Sequence, residues 1–139
     1  MADDRRQPAN DLPAPLRQQL DATRDAMLRV HKALLDHERL RYERRHGAVR
    51  NSGEFLQLVI NDPWFNWLRL ISELIVQIDE LLASKEPVTA EDGKALLTQA
   101  RDMLRPDEQG DEFRRNYHRG LQEDPAALMA HGEFKKAIA

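Results

Sequence analysis

The sequence predicts an all-α protein, an up-down four-helix bundle with a short C-terminal helix. Three features carry that expectation. Apolar residues recur at alternating spacings of three and four over long stretches, the period of a helix face. Capping residues and prolines sit where those stretches should begin. No segment alternates apolar and polar residues as a half-buried strand does.

The strongest helical stretch runs from Phe55 to Leu82. From Trp64 onward, Trp64, Leu68, Ile71, Ile75, Ile78 and Leu82 form one face. Trp67, Leu74 and Leu81 add a seam beside it, and Leu70 and Val76 leave little of the circumference polar. A helix apolar nearly all round is touched by partners on several sides, so this stretch is expected to be the central helix. Ser72, Glu73, Gln77 and Asp79 break the run and argue against a membrane span. Asp62 can cap the helix, with Pro63 at its first position. Phe55, Leu58, Val59 and Ile60 then belong either to a shorter helix before it or to one continuous helix kinked at Pro63.

Residues 1–11 are polar and contain Pro8, and read as a disordered tail; residues 12–139 read as a single helical-bundle domain. Pro13 and Pro15 suit a first helical turn. Leu16, Leu20, Thr23, Met27, Val30, Leu34, His37 and Arg41 then mark a heptad-like stripe, and Gly47 is a C-terminal stop. This helix is expected to span roughly 35 residues, about 50 Å. A short connection at 47–53 makes the next helix its antiparallel neighbour. After a loop containing Pro87, Thr89 and Asp92 resemble a capping box, and a third helix runs to about Leu104 despite Gly93. A fourth begins near Asp111 or Glu112 and carries Phe113, Tyr117 and Leu121. Asp124 and Pro125 repeat the cap-and-proline device. A short fifth helix with Leu128 and Met129 comes next, interrupted by Gly132, with Phe134 and Ile138 docking the tail.

Composition narrows the functional classes. The chain has 139 residues, enough for one core, with 41% apolar and 32% charged residues. A net charge of -3 gives no basis for general nucleic-acid affinity. The absence of cysteine excludes disulfides, thiolate catalysis and cysteine-bound zinc. The N-terminal segment lacks the apolar core of a signal peptide, which makes the cytoplasm the default location.

The run Asn61-Asp62-Pro63-Trp64-Phe65-Asn66-Trp67-Leu68, together with Ser72-Glu73-Leu74-Ile75-Val76 and Ile78-Asp79-Glu80, resembles a segment of uncharacterised bacterial helical-bundle proteins with no established function. Leu35-Asp36-His37-Glu38-Arg39, with Tyr42-Glu43 and Gly47, is similar to the same group. The resemblance implies a bacterial helical domain and brings no activity with it.

Catalytic and metal motifs are weak. Glu43-Arg44-Arg45-His46 supplies one Glu-x-x-His motif, whereas a di-iron bundle needs two. A mononuclear set of His37, Glu38 and His118 is the remaining metal candidate. No phosphate-binding glycine loop succeeds a strand, and no serine can be joined to a histidine as a triad. No catalytic residue, metal ligand or cofactor is therefore assigned. Trp64, Phe65 and Trp67 lie at helical spacing and read first as core.

The constellation that stands out is positional. Past Leu34 the stripe of the first helix turns polar, with His37, Glu38, Arg41 and Tyr42 on or beside core positions. Glu38 to Arg50 holds five arginines against two glutamates. In an up-down bundle this end meets the starts of the second and fourth helices, gathering His37, Glu38, Arg41, Tyr42, Asp62, Trp64, Tyr117 and His118 into one candidate ligand-binding pole. Arg41 needs a carboxylate there, from Asp62 or Glu38. The expected function is a non-enzymatic interaction or regulatory module that pairs with itself or with another helical protein, without membrane or nucleic acid. The alternative is a small-ligand- or metal-binding bundle, with catalysis at the pole as its extreme form.

Overall fold

The computed structural model describes residues 11–139, so the expected tail over 1–11 lies, apart from Asp11, outside the described residues. The described residues contain helices and no strand. These are α1 (Ala14–His46), α2 (Ser52–Asn61), a 3-10 helix (Pro63–Leu68), α3 (Arg69–Ala83), α4 (Ala90–Met103), α5 (Glu112–Glu123) and α6 (Pro125–Ile138). The all-α expectation holds. The count is six α-helices rather than four and a short tail helix.

Helix α1 begins at the prolines and ends at Gly47, whose φ of 92° lies where an L side chain is strained. Its 33 residues span about 50 Å. It, and not the Trp64–Leu82 stretch, is the central element: α3, α4, α6 and the 3-10 helix all pack on it. Helix α3 turns Ile71, Leu74, Ile75 and Ile78 inward but leaves Leu70 and Val76 exposed to 44% and 50%. Its all-round apolarity is therefore not matched by all-round burial. Arg24 on α1 pairs with Asp79 on α3 at 2.5 Å, and the Arg17 guanidinium donates to the Leu82 carbonyl at 3.2 Å, holding the two helices together.

The chain breaks at Asp62, so the shorter-helix alternative is the right one for Phe55–Ile60. Asp62 is extended, and its carboxylate accepts the Trp64 N–H at 2.8 Å, the expected cap. From Pro63 the backbone runs first as a 3-10 helix and only then as α3. The Thr89–Asp92 capping box at α4 is present with both hydrogen bonds, at 2.9 and 3.2 Å. At α6, Asp124 caps as expected, but Gly132 does not interrupt the helix. Glycine costs a helix only about 1 kcal/mol relative to alanine, and α6 recovers more by packing along α1. It does so with Ala127, Ala130, His131, Phe134 and Ile138, while Leu128 and Met129 point outward. The Ile138 carbonyl accepts from Arg101 at 2.8 Å and from Gln19 at 3.3 Å, which fastens the C-terminus of α6.

Gly120 brings α5 hard against the Leu34 side chain of α1. A Cβ on Gly120 would lie 2.5 Å from Cδ2 of Leu34, whose side chain is fully buried. A Cβ on Gly132 would meet nothing within 4 Å. Gly120→Ala should therefore lose stability by about 1–3 kcal/mol through overpacking. Gly132→Ala should gain about 0.4–1 kcal/mol by restricting the unfolded chain. Urea titration of the two variants measures both, and equal shifts would mean that α5 does not approach α1 this closely.

Candidate functional site

Along α1 the buried stripe runs Leu20, Thr23, Met27, Val30, Leu34 and then Glu38. A straight helix drifts by about 20° per heptad against a strict seven-residue repeat. The next inward position therefore falls on Glu38 and leaves His37 and Arg41 at the flanks. Glu38 is 2% exposed, and a carboxylate so buried must be paired. Arg41 donates to both of its oxygens at 2.8 and 3.1 Å, and Arg119 of α5 donates to Oε1 at 2.9 Å.

A second carboxylate completes the network. Glu123, one turn beyond Arg119, is bonded to His37 Nε2 at 2.9 Å. It lies 3.7 Å from Arg41 Nε and 3.8 Å from Arg119 Nε. The hydrogen bond with His37, then the charges of Arg119 and Arg41, hold the Glu123 carboxyl below the usual carboxylate range. Each arginine also lies over an indole, Arg41 over Trp64 at 5.2 Å and Arg119 over Trp67 at 6.0 Å. Asn116 Oδ1 accepts from Arg119 at 3.1 Å.

These groups border a cleft of about 730 Å³ between α1, the 3-10 helix and α5. Its walls include Glu38, Arg41, Trp64, Trp67, Phe113 and Arg119. A smaller groove of about 390 Å³ lies on the other side of the Arg41–Trp64 pair, lined by these two with Arg44 and Arg45. The indole N–H groups of Trp64 and Trp67 are shielded from solvent and have no hydrogen-bond partner.

The expected pole is thus partly assembled. Glu38, Arg41 and Trp64 border the cleft, and His37 joins through Glu123. Tyr42 stacks on His46 at 4.3 Å and meets Trp64 edge-on at 5.7 Å. Of the two carboxylates offered for Arg41, Glu38 is the one used; Asp62 spends its carboxylate on the helix cap. Tyr117 and His118 do not close the site. Tyr117 is buried elsewhere, its hydroxyl sharing a 2.6 Å hydrogen bond with His131 Nδ1, and His118 lies 3.5 Å from Glu108. The set of His37, Glu38 and His118 therefore does not converge. Among the described residues no three His, Asp or Glu side chains are placed to hold a metal ion. Glu43 accepts the Val49 N–H at 2.8 Å, while His46 turns towards Tyr42.

Arg119, Glu123, Asn116 and Trp67 are site residues that the heptad pattern of α1 does not point to. A signal existed, because Asn116, Arg119 and Glu123 share one face of a helix at spacings of three and four. Tyr117 and His118 sit about 100–200° further round from Asn116. No protein-family model matches the chain, no curated protein matches it, and no solved structure matches it. The resemblance carried by Asn61–Leu68 finds no support there. Among the described residues, no helix is long and apolar enough to cross a membrane.

Substitution should separate the roles of the two carboxylates. Glu38→Gln should cost about 1.5–3 kcal/mol, because two partly exposed guanidiniums lose a charged acceptor while keeping Glu123 nearby. Asp62→Ala should cost only about 0.5–2 kcal/mol, the value of a cap. Guanidinium titrations that give equal losses would contradict this division.

Acid should also weaken the fold. Burial pushes His31 and His131 below the usual histidine range, Lys135 adds to the effect at His131, and Glu123 is held low by His37. In each case the unfolded chain binds protons more readily, so stability rises with pH. The histidine contribution is complete above about pH 6.5 and that of Glu123 above about pH 4.3. Each is lost as pH falls through the lower folded value. Unfolding free energy should decline from about pH 7 downward, the histidine part first; a flat profile would contradict these shifts.

Proposed function

We propose that this protein is a non-enzymatic interaction module that associates with a second copy of itself through a face centred on α2. One observation carries the reading. Helix α2 is half apolar, with Phe55, Leu56, Leu58, Val59 and Ile60 among its ten residues, yet none of them is buried. Leu56 and Ile60, one turn apart, are 56% and 51% exposed. Fully burying such a side chain is worth about 1.5–3 kcal/mol, so a helix of this composition gains by being covered. Phe55 is held only at the edge of the fold, against Phe65 at 5.7 Å and under the Arg39 guanidinium at 4.7 Å.

A second copy suits this face by charge. Arg50 lies two residues before α2 and has no carboxylate partner among the described residues. The outer face of α3 offers the complement, with Glu73 and Glu80 beside exposed Val76. A two-fold dimer would bring α2 of each copy to α3 of the other, since an isologous interface makes every contact twice. This reading needs no cofactor and no chemistry at the cleft.

Sedimentation equilibrium at micromolar concentrations tests it. The expected result is a dimer that Ile60→Glu converts to monomer without changing the helical content, and that added salt weakens. A monomer at all concentrations, or a dimer indifferent to Ile60→Glu, would remove the proposal.

A further inference from the structure

We infer that the cleft between α1, the 3-10 helix and α5 is a binding site for a small aromatic organic anion, a planar ring bearing a carboxylate or a phosphate. The site is separate from the proposed association face, because no residue of α2 lines it.

The volume comes first. At about 730 Å³ the cleft lies within the range of about 300–1,000 Å³ typical of small-molecule sites. Trp64, Trp67 and Phe113 give it aromatic walls, with Trp67 and Phe113 edge-to-face at 5.7 Å. Such walls accept a planar ring. Its polar edge is built rather than accidental. The Arg41 and Arg119 guanidiniums are fixed by the buried Glu38 and by the indoles beneath them.

The unmet polar groups then name the ligand. Trp64 Nε1, Trp67 Nε1 and Arg119 Nε have no hydrogen-bond partner, and all three are donors. The Asn116 oxygen is already engaged by Arg119, which leaves its amide N–H groups. Along the Trp64, Trp67 and Arg119 edge of the cleft the unpartnered groups are donors. The indole nitrogens are closed off from solvent, so engaging them requires the rings to turn outward.

Charge fixes the orientation. Asp111 and Glu112 stand at the α5 end and oppose an anion there. At the other end Arg41 and Trp64 are shared with the groove of Arg44 and Arg45. A basic last turn is favoured by any helix dipole. That preference does not require three arginines to line one groove with a tryptophan that also walls the cleft. The ring therefore lies among Trp64, Trp67 and Phe113, and the anionic group points to Arg41, Arg44 and Arg45.

The chain has two tryptophans, so two side-chain N–H signals report on the site in a nitrogen-15 NMR spectrum. Phenylacetate and AMP are titrated against the full chain, with phenylacetamide and adenosine as their neutral counterparts. The expected result is that at least one anion binds with a submillimolar Kd and moves both tryptophan signals, its neutral counterpart binding at least tenfold more weakly. Binding of phenylacetate alone assigns the site to carboxylates, and of AMP alone to phosphates. The double variant Arg44→Ser, Arg45→Ser changes two exposed residues and should weaken binding at least tenfold with an unchanged circular dichroism spectrum. Absence of shifts at millimolar anion, equal binding of the neutral counterpart, or unchanged affinity in the double variant would each overturn the inference.

Discussion

A helix of about 50 Å must be covered by helices less than half its length, and the rest of the fold depends on that mismatch. The longest of the others, α3, has 15 residues, about 22 Å. No single partner can shield the α1 stripe, so α3, α4, α6 and the 3-10 helix each take part of it. This explains why the C-terminal segment is a full helix despite Gly132 and why it is fastened by Gln19 and Arg101. It also explains glycines at Gly93 and Gly120. A side chain added there would press on Leu16, Leu20 or Leu34 of α1.

At its C-terminal end α1 runs out of apolar cover, and the solution changes from packing to charge. Glu38 occupies a position that geometry turns inward, and two arginines from two helices neutralise it. A buried ion pair of this kind adds little net stability compared with apolar packing. Its effect is positional, tying α5 to α1 through the bond from Arg119 to Glu38. The same clamp sets Arg41 and Arg119 over their indoles and so gives the cleft a rigid polar edge. The α1–α5 tie and the site geometry thus share one cause.

The two functional surfaces differ in kind. The α2 face is an apolar surface with nothing over it, which is the ordinary requirement for association. The cleft is a concave site with aromatic walls and with unpartnered donors along its Trp64, Trp67 and Arg119 edge. Neither requires the other, since the clamp that shapes the cleft lies on α1 and α5 and the exposed face lies on α2.

The sequence by itself determined the all-helical class and where the helices begin. Pro13, Pro15, Asp62 with Pro63, Thr89 with Asp92, Asp111, and Asp124 with Pro125 all stand at helix starts, and Gly47 at an end, because capping is a local interaction between near neighbours. It also located the polar end of α1 and the carboxylate choice of Glu38 or Asp62. Tertiary structure decided the rest. Which helix is central depended on burial, and the apolarity of Trp64–Leu82 could not show that Leu70 and Val76 stay exposed. Which residue of α1 turns inward after Leu34 depended on a helical period of 3.6 rather than 3.5. Which face of α5 meets that residue depended on how the helix rolls against α1. That brought Arg119 and Glu123 to the site and turned Tyr117 towards His131, pairings between residues far apart in the chain that no local spacing encodes.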